Sequence, residues 1–231
     1  MRKGLIFLIL VICLVLTSCN ESASIGIIGG ADGPTSIFVS GKDDDIRRSY
    51  DVDKYFENNY VDENKLPVLD IHIENPFVSD DRTLTLDDSI NNSLELMIYE
   101  YYHNIMSGSY QKAKNVIVDG SLLAATEASE NNFKDGIYYS HILIDEIDLV
   151  DKDDLEEISD KNKQDIIKML NDMEMTEFAI VEVDKVIKHN EKALSIAPQV
   201  GDGEVQRYFL LGKKDNDYKI IEVYWEDFMN D

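Results

Sequence analysis

Two cysteines, four histidines and one glycine-rich string hold most of the residue types from which special chemistry is built in this chain. Cys19 follows Leu16-Thr17-Ser18, at the end of a nearly unbroken apolar run from Leu5, and Cys13 lies inside that run. If the run is removed, Cys19 is the one thiol left, so no internal disulfide can form. The string Gly29-Gly30-Ala31-Asp32-Gly33-Pro34 sits between two β-prone runs, Ile25–Ile28 and Ser36–Val39. Glycines permit positive φ, proline fixes φ, and aspartate can bond its own backbone, so a hairpin or a small backbone nest accounts for it. Two further uses stay open: a docking element that meets an envelope protein, or an ion contact through Asp32. A lone carboxylate is a poor cation site, because hard cations need several convergent oxygens.

The histidines His72, His103, His141 and His189 are scattered and lack zinc-ligand spacing. His103 falls within a helical pattern, where it is a weak candidate for a pocket residue. Tyr99, Tyr101, Tyr102, Tyr138 and Tyr139 can line a cavity or simply pack. No serine nucleophile elbow, phosphate loop or CxxC occurs. Asp151-Lys152-Asp153-Asp154 lacks the glycine and the distal glutamate of a calcium loop and reads as a helix start. No catalytic set, metal or cofactor is therefore expected.

Met1-Arg2-Lys3 and the short apolar run have the form of an export signal, since a spanning helix needs about 20 apolar residues. Leu16-Thr17-Ser18-Cys19 resembles the lipobox of bacterial lipoproteins. That resemblance implies a signal peptide over 1–18, cleavage before Cys19 and diacylation (palmitate-type chains) of its sulphur. It also implies attachment to the extracytoplasmic face of the cell membrane through that lipid. Two acyl chains hold a protein on a bilayer where one does not. With 22 Lys+Arg against 46 Asp+Glu the chain carries a net charge of −24, which repels nucleic acid and bare anionic lipid.

Four regions follow from composition: the leader 1–18, a small-residue segment 19–40 holding the glycine string, a polar acidic tether 41–83, and a densely patterned domain 84–231. Within the tether, Pro67–Ile73 alternates enough for an edge strand. In the domain, Leu94, Met97, Ile98, Tyr101, Tyr102 and Ile105 share one helical face. Asp87 or Asp88 is placed to cap that helix. Further helices are expected over Tyr110–Val118 and Leu122–Phe133, and a charged helical insert over Asp151–Asp172. Ile142 and Ile144 share one parity and Ile147 and Leu149 the other, which predicts a β-bulge or a sharp bend between them. Strands over Thr176–Lys188, Ala193–Ala197 and around Val205–Leu211 follow, Arg207 interrupting the last one's inward face. A hairpin at Lys214–Asp217 leads to a final strand lined by Ile221, Val223 and Trp225. Helices first and an antiparallel meander after make an α+β fold with helices on one face of the sheet. The strings Tyr101-Tyr102, Ser109–Ala113, Tyr208–Leu211 and Tyr218–Ile221 resemble the nuclear-transport-factor-2-like (cystatin-like) fold. The resemblance implies a curved sheet wrapped on the first helix, with a cone-shaped pocket between them.

The string Ser24–Ser40 resembles a segment of the β subunit of sodium-pumping decarboxylases. There the segment belongs to a polytopic membrane protein that moves Na⁺, and Gly29, Gly30, Asp32, Gly33 and Pro34 are its counterparts here. No second apolar run of spanning length accompanies it. Three function classes follow: a tethered non-catalytic binding module, a small hydrolase or isomerase using the same pocket, and an accessory or relative of a decarboxylase pump. The first accords best with the absence of an acid–base cluster.

Overall fold

A computed structural model describes residues 51–198 and 200–229. Cys19, the glycine string and residues 41–50 of the expected tether lie outside them. The described chain runs through α1 (Val52–Asn59), β1 (Ile71–His72), β2 (Phe77–Ser79), β3 (Arg82–Leu86), β4 (Ser89–Ile90), α2 (Ser93–Met106), α3 (Tyr110–Asn115), α4 (Ser121–Lys134) and β5 (Tyr139–Leu149). It continues through α5 (Asp160–Asp172), β6 (Glu177–His189), α6 (Glu191–Ser195), β7 (Gly203–Lys214) and β8 (Asp217–Trp225). The main sheet has the order β2-β3-β5-β6-β7-β8, and β1 pairs with β4 in a separate ribbon.

The fold is α+β, and its sheet is mixed rather than wholly antiparallel. β3 runs parallel to β5, with Leu84 opposite Ile142 and Leu86 opposite Ile144. A parallel pair needs a long crossover, and α2, α3 and α4 supply it. From β5 to β8 the strands form the expected antiparallel meander. Helices cover both faces of the sheet, not one. The helices of the crossover cover one face. α1 and α5 cover part of the other, where the ring of Phe56 meets Phe178 edge-on at 4.9 Å and Ile166, Ile167 and Leu170 are buried. The charged insert is thus the lid on a second core layer: a 3₁₀ turn, Asp154–Glu157, followed by α5.

Residues 51–83 are not an irregular tether. Phe56, Tyr60 and Val61 are buried, the Val61 amide donates to the Phe178 carbonyl at 2.8 Å, and β3 is an interior strand. Their apolar residues are few and set among acids, so average composition hides them. The Pro67–Ile73 run contributes only β1 and does not join the main sheet.

The bulge is where the parity switch placed it. Ile144 pairs with Lys185 and Glu146 with Asp184, leaving Asp145 as the extra residue. Ile142, Ile144 and Ile147 are consequently all buried. A second bulge, at Ile221, corrects the reading of β8. Leu211 pairs with Ile220 and Leu210 with Glu222, so Ile221 points at Gly212 on the opposite side from Val223. A β-carbon at Gly212 would lie 2.5 Å from the Ile221 side chain and 2.8 Å from that of Met175, so a larger residue there would have to displace them. The Ala193–Ala197 segment is not a strand. Asn190 caps α6 by accepting from the Ala193 amide at 3.0 Å, and the helix forms instead.

α2 starts later than Asp87 or Asp88 because Ser89-Ile90 are held in β4. Asn92 is its cap, accepting from the amides of Leu94 and Glu95 at 2.9 and 3.1 Å. Glu95, only 2% exposed, completes the turn as in a capping box. Its carboxylate accepts from the Asn91 amide at 2.6 Å, the Asn92 side chain at 2.5 Å and the Leu149 amide at 3.3 Å. One side chain therefore ties the start of α2 to the end of β5. Glu95→Ala should destabilise the protein by about 2–3 kcal/mol in urea unfolding at pH 7, because it leaves buried donors without acceptors. Glu95→Gln, which keeps one acceptor oxygen, should cost clearly less.

Candidate functional site

The cavity lies between α2, α4 and the helix-facing side of β5–β8. Counted out to its mouth it holds about 660 Å³ of empty space, of which about 70 Å³ admits the centre of a water molecule. It is a slot rather than a wide cone. α2 presents Tyr101 and Tyr102 to it because they fall on the face that also carries Leu94, Ile98 and Ile105. The two tyrosines pack edge-on with each other at 5.6 Å and against Phe209 at 6.0 and 5.7 Å.

Two cationic side chains stand on the sheet side. Lys185, 8% exposed, shares the inward parity of Val181, Val183 and Ile187 on β6, and its ammonium donates to the Tyr102 hydroxyl at 2.6 Å. Arg207, 5% exposed, is on β7 directly opposite Trp225. Its guanidinium lies 3.5 Å from the centre of the Trp225 ring and donates to the Gln206 carbonyl at 2.7 Å. Stacking on an aromatic face favours a cation, most strongly when it is desolvated. Trp225, the chain's single tryptophan, is 37% exposed in the cavity wall.

Among the described lining residues the cavity shows aromatic, aliphatic and cationic side chains with one serine, Ser129, and no carboxylate, histidine or thiol. Such a lining can desolvate and hold a ligand. A smaller adjoining hollow, beneath Tyr138 and Tyr139, contains Arg82. Arg82 donates to the Met106 carbonyl at 2.5 Å at the end of α2 and lies over Phe133 at 4.7 Å.

Of the aromatic candidates, Tyr101, Tyr102 and Tyr139 line the cavity, Tyr138 lines its neighbour, and Tyr99 is buried against His103. His103 itself does not reach the cavity; its ring packs edge-on against Phe77 at 5.2 Å. His72 contacts Ser89, His141 contacts Thr83, and His189 is buried with Nδ1 2.9 Å from Asp202. The four histidines therefore stay apart. Among the described residues no group of three His, Cys, Asp or Glu is placed to hold a metal ion. Lys185 was overlooked in the sequence, although it occupies an inward position in an otherwise apolar alternation.

The carboxylates gather on the other side of the sheet. Register sets Glu146 opposite Asp184 and Asp148 opposite Glu182. Like charges placed directly across a sheet repel. Burial, a hydrogen bond with Glu146 and the Asp88 charge push the Asp148 carboxyl from 3.8 up to about 6. Burial also raises Glu182, despite the Tyr208 hydroxyl at 3.2 Å.

A family model described as the Na⁺-transporting oxaloacetate decarboxylase beta subunit matches residues 2–45, under a fifth of the chain and wholly outside the described residues. No curated protein matches the chain, and no solved structure does. Among the described residues no helix is long and apolar enough to cross a membrane.

A carboxyl raised by folding favours the folded state while it is protonated, below its unfolded value. That stability is lost as pH rises through its folded value, here between about 4 and 6. Asp148→Asn should therefore raise the Tm at pH 7.5, by about 1 kcal/mol of stability once solvent screening is allowed for, and change little at pH 4. Thermal unfolding at the two pH values measures this.

Proposed function

We propose that this chain is a lipid-anchored extracytoplasmic lipoprotein whose folded head is a non-catalytic binding module. The observation that carries this reading is the slot walled by Tyr101, Tyr102, Phe209 and Trp225, with Lys185 and Arg207 as its polar groups. A bent mixed sheet closed on a long amphipathic helix supports assignment of the head to the nuclear-transport-factor-2-like class. The anchor rests on Leu16-Thr17-Ser18-Cys19 after an apolar leader. The glycine string begins only ten residues after Cys19, so a lipid on that cysteine would hold the string near the membrane. Cys19→Ser should abolish palmitate labelling and move the protein from the membrane to the soluble fraction. Labelling that persists in the variant would overturn the anchor.

A second reading draws on the family match over residues 2–45. In it, the segment with Gly29, Gly30, Asp32, Gly33 and Pro34 is an interaction element, and the chain is an accessory of a sodium-translocating decarboxylase. Crosslinking and pulldown from membranes would then recover a biotin-dependent decarboxylase with the wild type, and lose it with Asp32→Ala or with deletion of residues 29–35. Identical partners in all three samples would remove any docking role for the string, and with it this reading.

A further inference from the structure

Deepening the binding-module reading, on which this inference rests, we propose that the slot takes an uncharged, single-ring aromatic molecule. The ring is held by Tyr101 from α2 and by Ile142, Ile187, Phe209 and Trp225 from the sheet, all of which line the slot.

Charge argues against an ionised ligand of either sign. The two cations of the lining are already engaged. Lys185 donates to the Tyr102 hydroxyl at 2.6 Å, and it also borders the cleft that carries Asp145, Glu146, Asp184 and Glu204. Arg207 donates to the Gln206 carbonyl at 2.7 Å and stacks on Trp225 at 3.5 Å. An anion has to draw these groups from their partners, and it approaches a chain of net charge −24. A cation meets two buried like charges at a depth where water screens them little. An uncharged ring meets neither cost.

Shape narrows the class further. The slot gives the centres of water molecules about 70 Å³. Apolar cavities of about 150 Å³ enclose a benzene ring, so one ring enters here with its edge left in the mouth. A fused ring system, a sugar or a peptide is too large, since drug-sized pockets run to about 300 Å³ or more. The rings of the lining meet edge to face, Tyr101 and Phe209 at 6.0 Å and 66°. An incoming ring extends that packing, which the aromatic quadrupole favours. Trp225, 37% exposed, is the part of the wall that a ligand covers.

The test titrates p-cresol into the purified full-length chain, with p-toluate and p-methylbenzylammonium as its charged counterparts. Calorimetry measures affinity. Trp225 emission reports occupancy of the slot, because the chain has one tryptophan. Saturable binding of p-cresol is expected, with a Kd on the order of 1 mM or tighter and a change in Trp225 emission. Both charged counterparts should be weaker by about tenfold or more. Ser129→Leu fills the slot from α4 and Val223→Phe fills it from β8. Each should weaken p-cresol by about tenfold or more, with thermal unfolding as the check on folding. Ser129→Ala leaves the slot open and should stay within about threefold of wild type. The comparison of the three ligands on the wild type holds whether or not a variant folds. A charged counterpart that binds as tightly as p-cresol would overturn selection for an uncharged ring while the binding-module reading stands. Full affinity in a folded slot-filling variant, or loss in Ser129→Ala, would place recognition outside these walls and overturn it too. Silence toward all three ligands would overturn the proposal together with the use of this slot, leaving the anchor untouched.

Discussion

The arrangement of this sheet depends on one extra residue in β5. If β5 were pleated regularly through Asp145 instead of bulging there, the alternation that puts Ile142 and Ile144 on the helix side would continue to Glu146 and Asp148. Two carboxylates would enter the apolar layer under α2, and Ile147 would leave it. A one-residue slip exchanges the two faces of a strand, and the bulge performs that exchange locally. It lets β5 keep isoleucines against the helices along its length while its acids face the other way. A bulge also bends its strand and increases the local twist.

The same separation governs the charges. β6 and β7 are buried on both faces over much of their length, so a polar residue on either strand must be accommodated locally. On the helix side the accommodated residues are cations, Lys185 and Arg207, each beside an aromatic ring. On the far side they are carboxylates, Glu182 and Asp184, of which Glu182 accepts from the Tyr208 hydroxyl and the Gln206 side-chain amide. A buried cation is costly unless it is stacked or hydrogen-bonded, and the rings of Tyr102 and Trp225 supply that support and form the slot in the same act.

Much of this was legible in periodicity. The helical face of α2 and the parity switch at Asp145 are local patterns. So is the β7–β8 turn, where Asp215 and Asn216 take positive φ. What escaped was set by tertiary pairing. β3 belongs to the sheet because Leu84 and Leu86 meet Ile142 and Ile144 across a crossover of some fifty residues, and no local window holds both partners. α1 sits in an acidic stretch, and Phe56 on it and Tyr60 just after it pack edge-on against Phe178. Arg207 was visible as an interruption of an inward face, and Lys185 repeats that signal one strand earlier. Two charged residues at inward positions of neighbouring strands were a readable sign of a polar site. His103 drew notice by residue type alone, and its partner is an aromatic ring.

The carboxyl groups raised by burial lie outside the slot. A general base must sit within hydrogen-bond reach of its substrate, with a pKa near the working pH. Asp148, pushed up to about 6, satisfies the second condition. It fails the first, because it lies on the face opposite the slot, paired with Glu182 rather than with Lys185 or Arg207. Glu95 is likewise raised by burial, but its oxygens are occupied by the amides that start α2. Glu95 is thus engaged in holding helix and strand together, while the slot holds aromatic and aliphatic side chains, Ser129, Arg207 stacked on Trp225 and the hydrogen bond from Lys185 to Tyr102.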